Sequence, residues 1–361
     1  MYTILDIARK AGVSHSTVSR ILNKKFIRCK QQTRDKILRI AAELNYYPNI
    51  SARNLKTRAY HAIGFLAYDI TDMFAVDCIR AIEETLAPTD YRALWISAKL
   101  HRTENQSDLL KELHGLPIDG LIVIESDNLI ADVELLRIHA RDRMRISTLI
   151  RKIHGGHICS VTLDDALGIK LLVDHLVGLG HRELAFLPDV QMHPGPMVRF
   201  KTFKNLLREY NLPIREEWWQ PTDATVEKSN AVEEGFAATK RLLNNKFRPT
   251  AIIAFNDLAA FGCIRACKEQ GIPVPEKISV AGFDDISMAA HYNPSLTTIS
   301  SNYPVLAKSA VAQMLSMIEH RRELFEADHV VVKPELVVRE STAAPPSSLI
   351  LGAGAGRSVA S

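Results

Sequence analysis

Through the first 46 residues the apolar positions recur three and four apart. Ile7, Ala8 and Ala11 form one such set, Val18 and Leu22 a second, and Ile37, Ile40, Ala41 and Leu44 a third. This period predicts three short helices, each with one buried face. Thr3, with Asp6 three positions on, makes a capping-box-like start for a helix from Ile4 to Ala11. Gly12-Val13 breaks that helix, and Ser14 can cap a second one running to Leu22. A third is expected from about Thr33 to Asn45, where Pro48 stops it.

From about His61 the period changes. Short apolar runs, IGFLAY, ALWIS, GLIVIE, ISTLI, ELAFL, AIIAF and ISVAGF, alternate with helical stretches such as IKLLVDHLVGLG and LAAFGCIRACKEQG. That alternation is the mark of open, doubly wound parallel α/β sheets covered by helices on both sides. Seven strands over this length suit two sheets better than one, and the series restarts after His154-Gly155-Gly156. The expected organisation is a helical headpiece over 1–46, a linker over 47–60 and a two-lobed domain over 61–341. The chain would cross between lobes near 155–162 and 290–302. The tail from 342 to 361, rich in Pro, Ala, Gly and Ser, is expected to be disordered. Its LILGAGAG string has the glycines of a dinucleotide fingerprint but no following helix to hold a pyrophosphate.

Charge sharpens this division. The net charge of +4 hides a first 60 residues with thirteen Lys/Arg against three Asp/Glu (Asp6, Asp35, Glu43), while the rest of the chain is net acidic. A compact basic domain on an acidic body points to nucleic acid and away from a membrane surface. No run of about 18 apolar residues appears, and the N-terminal MYTILDIARKAG lacks a secretory layout, so a cytoplasmic location is expected. Five scattered cysteines suit a reducing compartment, and Cys263 and Cys267 fall on an apolar helical pattern that reads as core.

With Ile7, Ala8, Ala11, Val13, Val18 and Leu22 packed between two helices and Gly12 at the turn, His15, Ser16, Ser19 and Arg20 are left on the outer face of the second helix. A helical pair of this kind can bind protein or enter a major groove. The local charge favours DNA, and an Arg there can pair bidentately with guanine.

The ordered segment TILDIARKAGVSHSTVSRILN, followed by ELNYYPNISARNL, resembles the lactose/galactose repressor (LacI/GalR) family. The resemblance implies a ligand-responsive transcriptional regulator, a repressor by expectation, that binds a pseudo-palindromic operator as a homodimer. It places operator reading on His15, Ser16 and Arg20, within a DNA-contacting set that also takes in Thr3, Leu5, Ser14, Thr17, Ser19 and Asn23. It further implies a hinge helix over 47–60 in which Leu55 wedges into the minor groove, with Asn49, Ala52, Arg53 and Lys56 around it. Lys30 departs from the pattern, since relatives usually carry a capping Ser there.

The same resemblance covers roughly 61–341, whose body is similar to sugar-binding proteins that close two lobes on a ligand. It puts an effector site on Asp72, Phe74, Arg151, Arg199, Asn256, Asp284 and Tyr303. Asn256-Asp257 and Asp284-Asp285 follow strands, where ligands bind in open α/β sheets, and are expected to face the cleft. The alternative reading makes Asn256 and Asp284 simple caps or turn formers, and Arg199 a surface charge. A sugar is the expected effector, because aromatic walls and a few polar groups match its apolar faces and polar edge. A purine fits the same residues, and Trp218-Trp219 offers a further stacking face. A transport-type binding protein is the rival from another class. GxSxG and HExxH are absent, and His154-x-x-His157 is too sparse for a metal site, so neither catalysis nor a cofactor is expected.

Overall fold

The computed structural model describes residues 2–22, 28–46, 59–67, 70, 73–98, 113, 115–124, 136, 145–150, 152–153, 158–189, 194–219, 231–245, 248–319 and 329–346. They fall into two compact units, one up to Tyr60 and one from His61.

The first unit holds α1 (Ile4–Ala11), α2 (His15–Leu22) and α3 (Gln31–Glu43). Their shared core is Ile7, Ala8, Ala11, Val18, Ile21, Ile37, Ile40, Ala41 and Leu44. Val13 and Leu22 pack at its margin, so Ile21 takes the central place expected of Leu22. Asp6 reaches back to accept from the Thr3 backbone N–H at 2.9 Å and from the Thr3 hydroxyl at 2.8 Å. These bonds hold its carboxyl below the usual carboxylate range. Gly12 ends α1 with a φ of 71°, a conformation that glycine adopts without steric cost, and its N–H bonds back to Ala8 and Arg9. α3 begins at Gln31, about two residues before the expected start. Lys30 gives it no side-chain cap; instead Gln31 donates to Asp35 at 2.9 Å across the first turn.

In the second unit the first lobe is a six-stranded parallel sheet of order β10-β5-β4-β3-β1-β2. Its strands are β1 (Ala62–Ala67), β2 (Arg92–Ser97), β3 (Gly120–Ile124), β4 (Ile146–Leu149), β5 (Ile158–Leu163) and β10 (His329–Val332). Alternate side chains serve opposite faces. Ile63, Phe65, Ile122 and Ile124 pack under α4 (Met73–Leu86) and α9 (Tyr303–Glu319), while Leu66, Leu121 and Val123 enter the core of the other face.

The second lobe carries the parallel strands β6 (Leu184–Leu187), β7 (Ala251–Ala254) and β8 (Ser279–Ala281), with an antiparallel pair, β9 (Thr298–Ser300) and β11 (Glu335–Val337), beside them. Helices α5 (Asp165–Gly178), α6 (Pro194–Glu209), α7 (Ala231–Leu243) and α8 (Asp257–Glu269) complete it. Four strands beyond the seven expected are therefore present among the described residues. Because Ile158–Leu163 still belongs to the first sheet, the chain leaves that lobe only at Asp164, later than 155–162. It returns between β9 and α9, close to the expected 290–302, and crosses a third time between β10 and β11.

The expected disorder from 342 needs correction. Ser341–Ala343 runs along β8, with Val280 N–H donating to the Ser341 carbonyl at 2.8 Å and Ala343 N–H to Ser279 Oγ at 3.0 Å, and the described chain continues to Pro346. Buried His181 bonds Thr250, Ser279 and the Ala343 carbonyl, and burial pushes its imidazole below the ordinary value. A neutral imidazole thus fastens the segment. The rest of the expected tail, 347–361, lies outside the described residues.

Helices α7 and α8 touch backbone to backbone at Gly235 and Gly262. A Cβ on Gly262 would lie 1.9 Å from the Val232 carbonyl oxygen, and one on Gly235 would lie 2.1 Å from that of Ala259. Gly262→Ala is accordingly expected to cost about 2 kcal/mol or more through overpacking, read as a lower urea midpoint. An unchanged midpoint would mean the helices separate freely.

Candidate functional site

In the headpiece, α2 projects a polar row between turns that the core fixes. His15, Ser16 and Arg20 are exposed, and Ser16 and Arg20, four apart, lie above one another on a single helix face. The Ser14 hydroxyl accepts from Thr17 N–H at 3.2 Å and lies 2.8 and 2.9 Å from the hydroxyls of Ser16 and Thr17. This cap leaves an N-terminus whose partial positive charge suits a phosphate. Thr17 and Ser19 are half-buried, whereas Thr3, the cap of α1, and Leu5 on that helix are exposed, Leu5 by 58%. Asn23, Asn49, Ala52, Arg53, Leu55 and Lys56 lie outside the described residues.

In the two-lobed unit the strand ends converge on Arg199. It is not a surface charge: it is 8% exposed, and its guanidinium lies 3.6 Å from the centre of the Phe283 ring. Its Nε donates to Asp165 at 2.7 Å, one Nη to the Phe255 carbonyl at 2.7 Å, and the other Nη sits 3.7 Å from Asp284. One side chain on α6 thereby gathers the start of α5, the end of β7 and the loop after β8. Asn256 caps α8, its side-chain oxygen accepting from Ala259 N–H at 2.8 Å. Asp284 and Asp285 both have positive φ, 119° and 56°, conformations that non-glycine residues resist. The neighbouring structure holds them there: Asp284 N–H donates to Ile299 at 2.8 Å, and Asp285 pairs with Arg339 at 2.6 Å.

Phe74 of α4 and Tyr303 at the start of α9 meet edge to face with ring centres 5.5 Å apart. Tyr303 is buried, and its hydroxyl has no hydrogen-bond partner among the described residues. Burial, with Asp284 the next cause, pushes that phenol well above its usual value, so it stays a neutral donor. Asp72 and Arg151 lie outside the described residues. The stacking face expected at Trp218-Trp219 is core instead: Trp218 is buried, and Trp219 packs edge-on against Phe200 and Phe203. His154 and His157 are outside the described residues, and among those described no cluster of metal-ligating side chains occurs.

Asp165, Phe283 and the true role of Asp257 escaped the sequence reading. Asp165 follows a strand, ICSVTL, whose buried Ser160 and Thr162 hide its pattern. Asp257 does not face the cleft but turns inward, accepting from Ile286 N–H at 2.9 Å and from the Thr298 hydroxyl. Burial pushes its carboxyl up to about 7. Between pH 3.8 and about 7 the folded chain thus keeps a proton that the unfolded chain releases, so this group lowers stability as pH rises through that window and adds no slope above it. Asp257→Asn is expected to remove this component from the pH dependence of urea denaturation. Parallel profiles for the two proteins would contradict the assignment.

Residues 3–49 match the family described as bacterial regulatory proteins, lacI family, and residues 173–342 match a periplasmic binding protein-like domain. Among curated relatives, the HTH-type transcriptional repressor PurR of Erwinia tasmaniensis is 31% identical over 348 residues, spanning 96% of this chain and 98% of that protein. PurR of Yersinia pestis is 32% identical over 351 residues, with the same coverage of both chains. Among solved structures, the lac repressor dimer bound to operator and the anti-inducer ONPF superposes with a TM-score of 0.77 at 25% identity, covering 95% of this chain and 99% of that one. A LacI family transcriptional regulator from Enterococcus faecium with bound ribose gives 0.67 at 26% identity, covering 79% and 100%. None of the described helices is long and apolar enough to cross a membrane. A helix-turn-helix headpiece ahead of a two-lobed, ligand-sensing α/β domain thus places this chain in the lacI family of bacterial transcriptional regulators.

Proposed function

We propose that this regulator acts as a homodimeric repressor whose grip on a pseudo-palindromic operator is set by a small, uncharged polyhydroxyl compound, a sugar by preference, held between the lobes. The observation that carries the reading is the buried Arg199 constellation. Its positive charge is already balanced by Asp165 at 2.7 Å and Asp284 at 3.7 Å, so Arg199 itself offers a phosphate or carboxylate ligand little uncompensated charge. A neutral hydroxyl can instead donate to Asp284 and accept from the Tyr303 phenol, while Phe74 covers an apolar ring face. Asn256 contributes its amide group, and Asp72 and Arg151 complete the set by resemblance. The cleft binds without catalysing a step.

On the DNA side, His15, Ser16 and Arg20 read base edges. Thr3, Leu5, Ser14, Thr17, Ser19 and Asn23 set the headpiece against the backbone. Asn49, Ala52, Arg53, Leu55 and Lys56 form the hinge that occupies the minor groove, which calls for a second copy of the chain beside it. A planar nucleobase is the second reading of the effector, favoured by the Phe74–Tyr303 wall.

Selection from a random duplex pool at about 150 mM salt, with and without a panel of sugars, sugar phosphates and nucleobases, tests both halves. One palindrome, with retention altered by a neutral sugar and not by its phosphate, is expected. Arg20→Ala is expected to relax one base position, at about 1–3 kcal/mol of discrimination, and Arg199→Ala to abolish the compound's effect while leaving operator binding. Retention without sequence preference would overturn the operator reading. A response only to phosphorylated compounds would overturn the charge argument.

A further inference from the structure

Downstream of β8, the segment Asp284–Ser287 is bonded residue by residue. Asp284 N–H goes to Ile299, the Asp285 carboxylate to Arg339 and Ile286 N–H to Asp257, all partners within the second lobe. Ser287 breaks the rule. Its backbone N–H donates to Asp77 Oδ2 at 2.9 Å and its hydroxyl to Asp77 Oδ1 at 3.2 Å. Asp77 lies on α4 of the first lobe, 210 positions away in sequence.

Asp77 is buried, its side chain 8% exposed, and the guanidinium of Arg80, itself largely solvent-facing, lies 3.8 Å from it. The two donors of Ser287 therefore supply close hydrogen bonds to a carboxylate withdrawn from water, and losing them without replacement is costly. The placement matters as much as the bond. Asp77 stands three residues after Phe74, one turn along the same helix, and Ser287 stands three residues after Asp284. Each end of the bond is thus three residues from a group assigned to the effector site. The segment Asp284–Ser287 begins with two residues at positive φ, Asp284 and Asp285, a costly conformation that its surroundings must hold.

We propose that Asp77 is a positioning residue: it takes up the displacement of the Asp284–Ser287 segment and delivers it to α4, so that the state of the cleft reaches the first lobe. This rests on the effector reading of Asp284 and Phe74, and adds a residue that touches no ligand. Helix α4 packs against α9, whose first residue is Tyr303, so a movement of Asp77 is felt along the helical face of the whole first sheet.

The test uses the full chain with Asp77→Asn, Asp77→Ala and Ser287→Ala. It measures amide exchange over 284–290 and affinity for the duplex recovered from the random pool. Asp77→Ala is expected to speed exchange in that segment about tenfold, as for loss of a charge-assisted bond, and to change operator affinity about fivefold or more. Ser287→Ala should fall between, while Asp77→Asn, which keeps an acceptor for the Ser287 N–H, should restore most of both. Faster exchange with wild-type operator affinity would reduce the contact to a local brace and overturn the proposal, as would unchanged exchange. Should Asp77→Ala fail to fold, Ser287→Ala decides by the same two readings. Neither measurement uses an effector. If no panel compound alters retention by the wild-type protein, the effector reading fails on its own, and the fate of Asp77 is still decided here.

Discussion

Arg199 brings a full positive charge to a place almost closed to water, and the second lobe is arranged around satisfying it. The guanidinium needs acceptors in its own plane, which Asp165 and the Phe255 carbonyl provide, and a face to rest on, which Phe283 provides. Those three groups come from three separate segments, at the start of α5 and after β7 and β8. Parallel sheets bring such segments together at the carboxyl ends of their strands, so satisfying one charge joins all three. Phe283 is itself seated against Gly168 of α5, where a Cβ would lie 2.8 Å from the ring. The charge, the ring beneath it and the helix behind the ring therefore have one mutual solution.

From that junction two consequences run outward. The loop after β8 is forced through left-handed conformations at Asp284 and Asp285, held open by Asp257 from below and by Arg339 from the side. And Asp284 is drawn toward Arg199, its carboxylate 3.7 Å from the guanidinium. The headpiece obeys a different economy. Its small core, nine buried apolar residues among those described, fixes α2 with Ser16 and Arg20 exposed. The headpiece and the two-lobed unit thus have separate hydrophobic cores.

How much of this the sequence disclosed depended on where the partners lie. The headpiece was legible because Ile7, Val18, Ile37 and Leu44 repeat at helical spacing and need only near neighbours. Even there the start of α3 was placed late, since the Gln31–Asp35 bond that props its first turn is not a standard cap. Strand β5 was missed because the buried hydroxyls of Ser160 and Thr162 break its apolar run, and the Ser160 hydroxyl lies 2.9 Å from that of Thr148 on the next strand. The ordered end at Ala343 was illegible for the same reason at longer range, its carbonyl being bound by His181, 162 positions earlier. Arg199, Asn256, Asp284, Phe74 and Tyr303 were placed by resemblance. Of these the structure joins Arg199 to Asp284 and Phe74 to Tyr303, and gives Asn256 a capping role that the sequence allowed.

If one ligand in the cleft and one on the headpiece share a single conformational equilibrium, each must alter the other's affinity by the same factor. The direct test is a pair of titrations: operator affinity with the gating compound absent and saturating, and compound affinity with the operator absent and saturating. The account predicts two equal ratios, about fivefold or larger. Ratios of one in both titrations, with operator and compound binding independently, would contradict it.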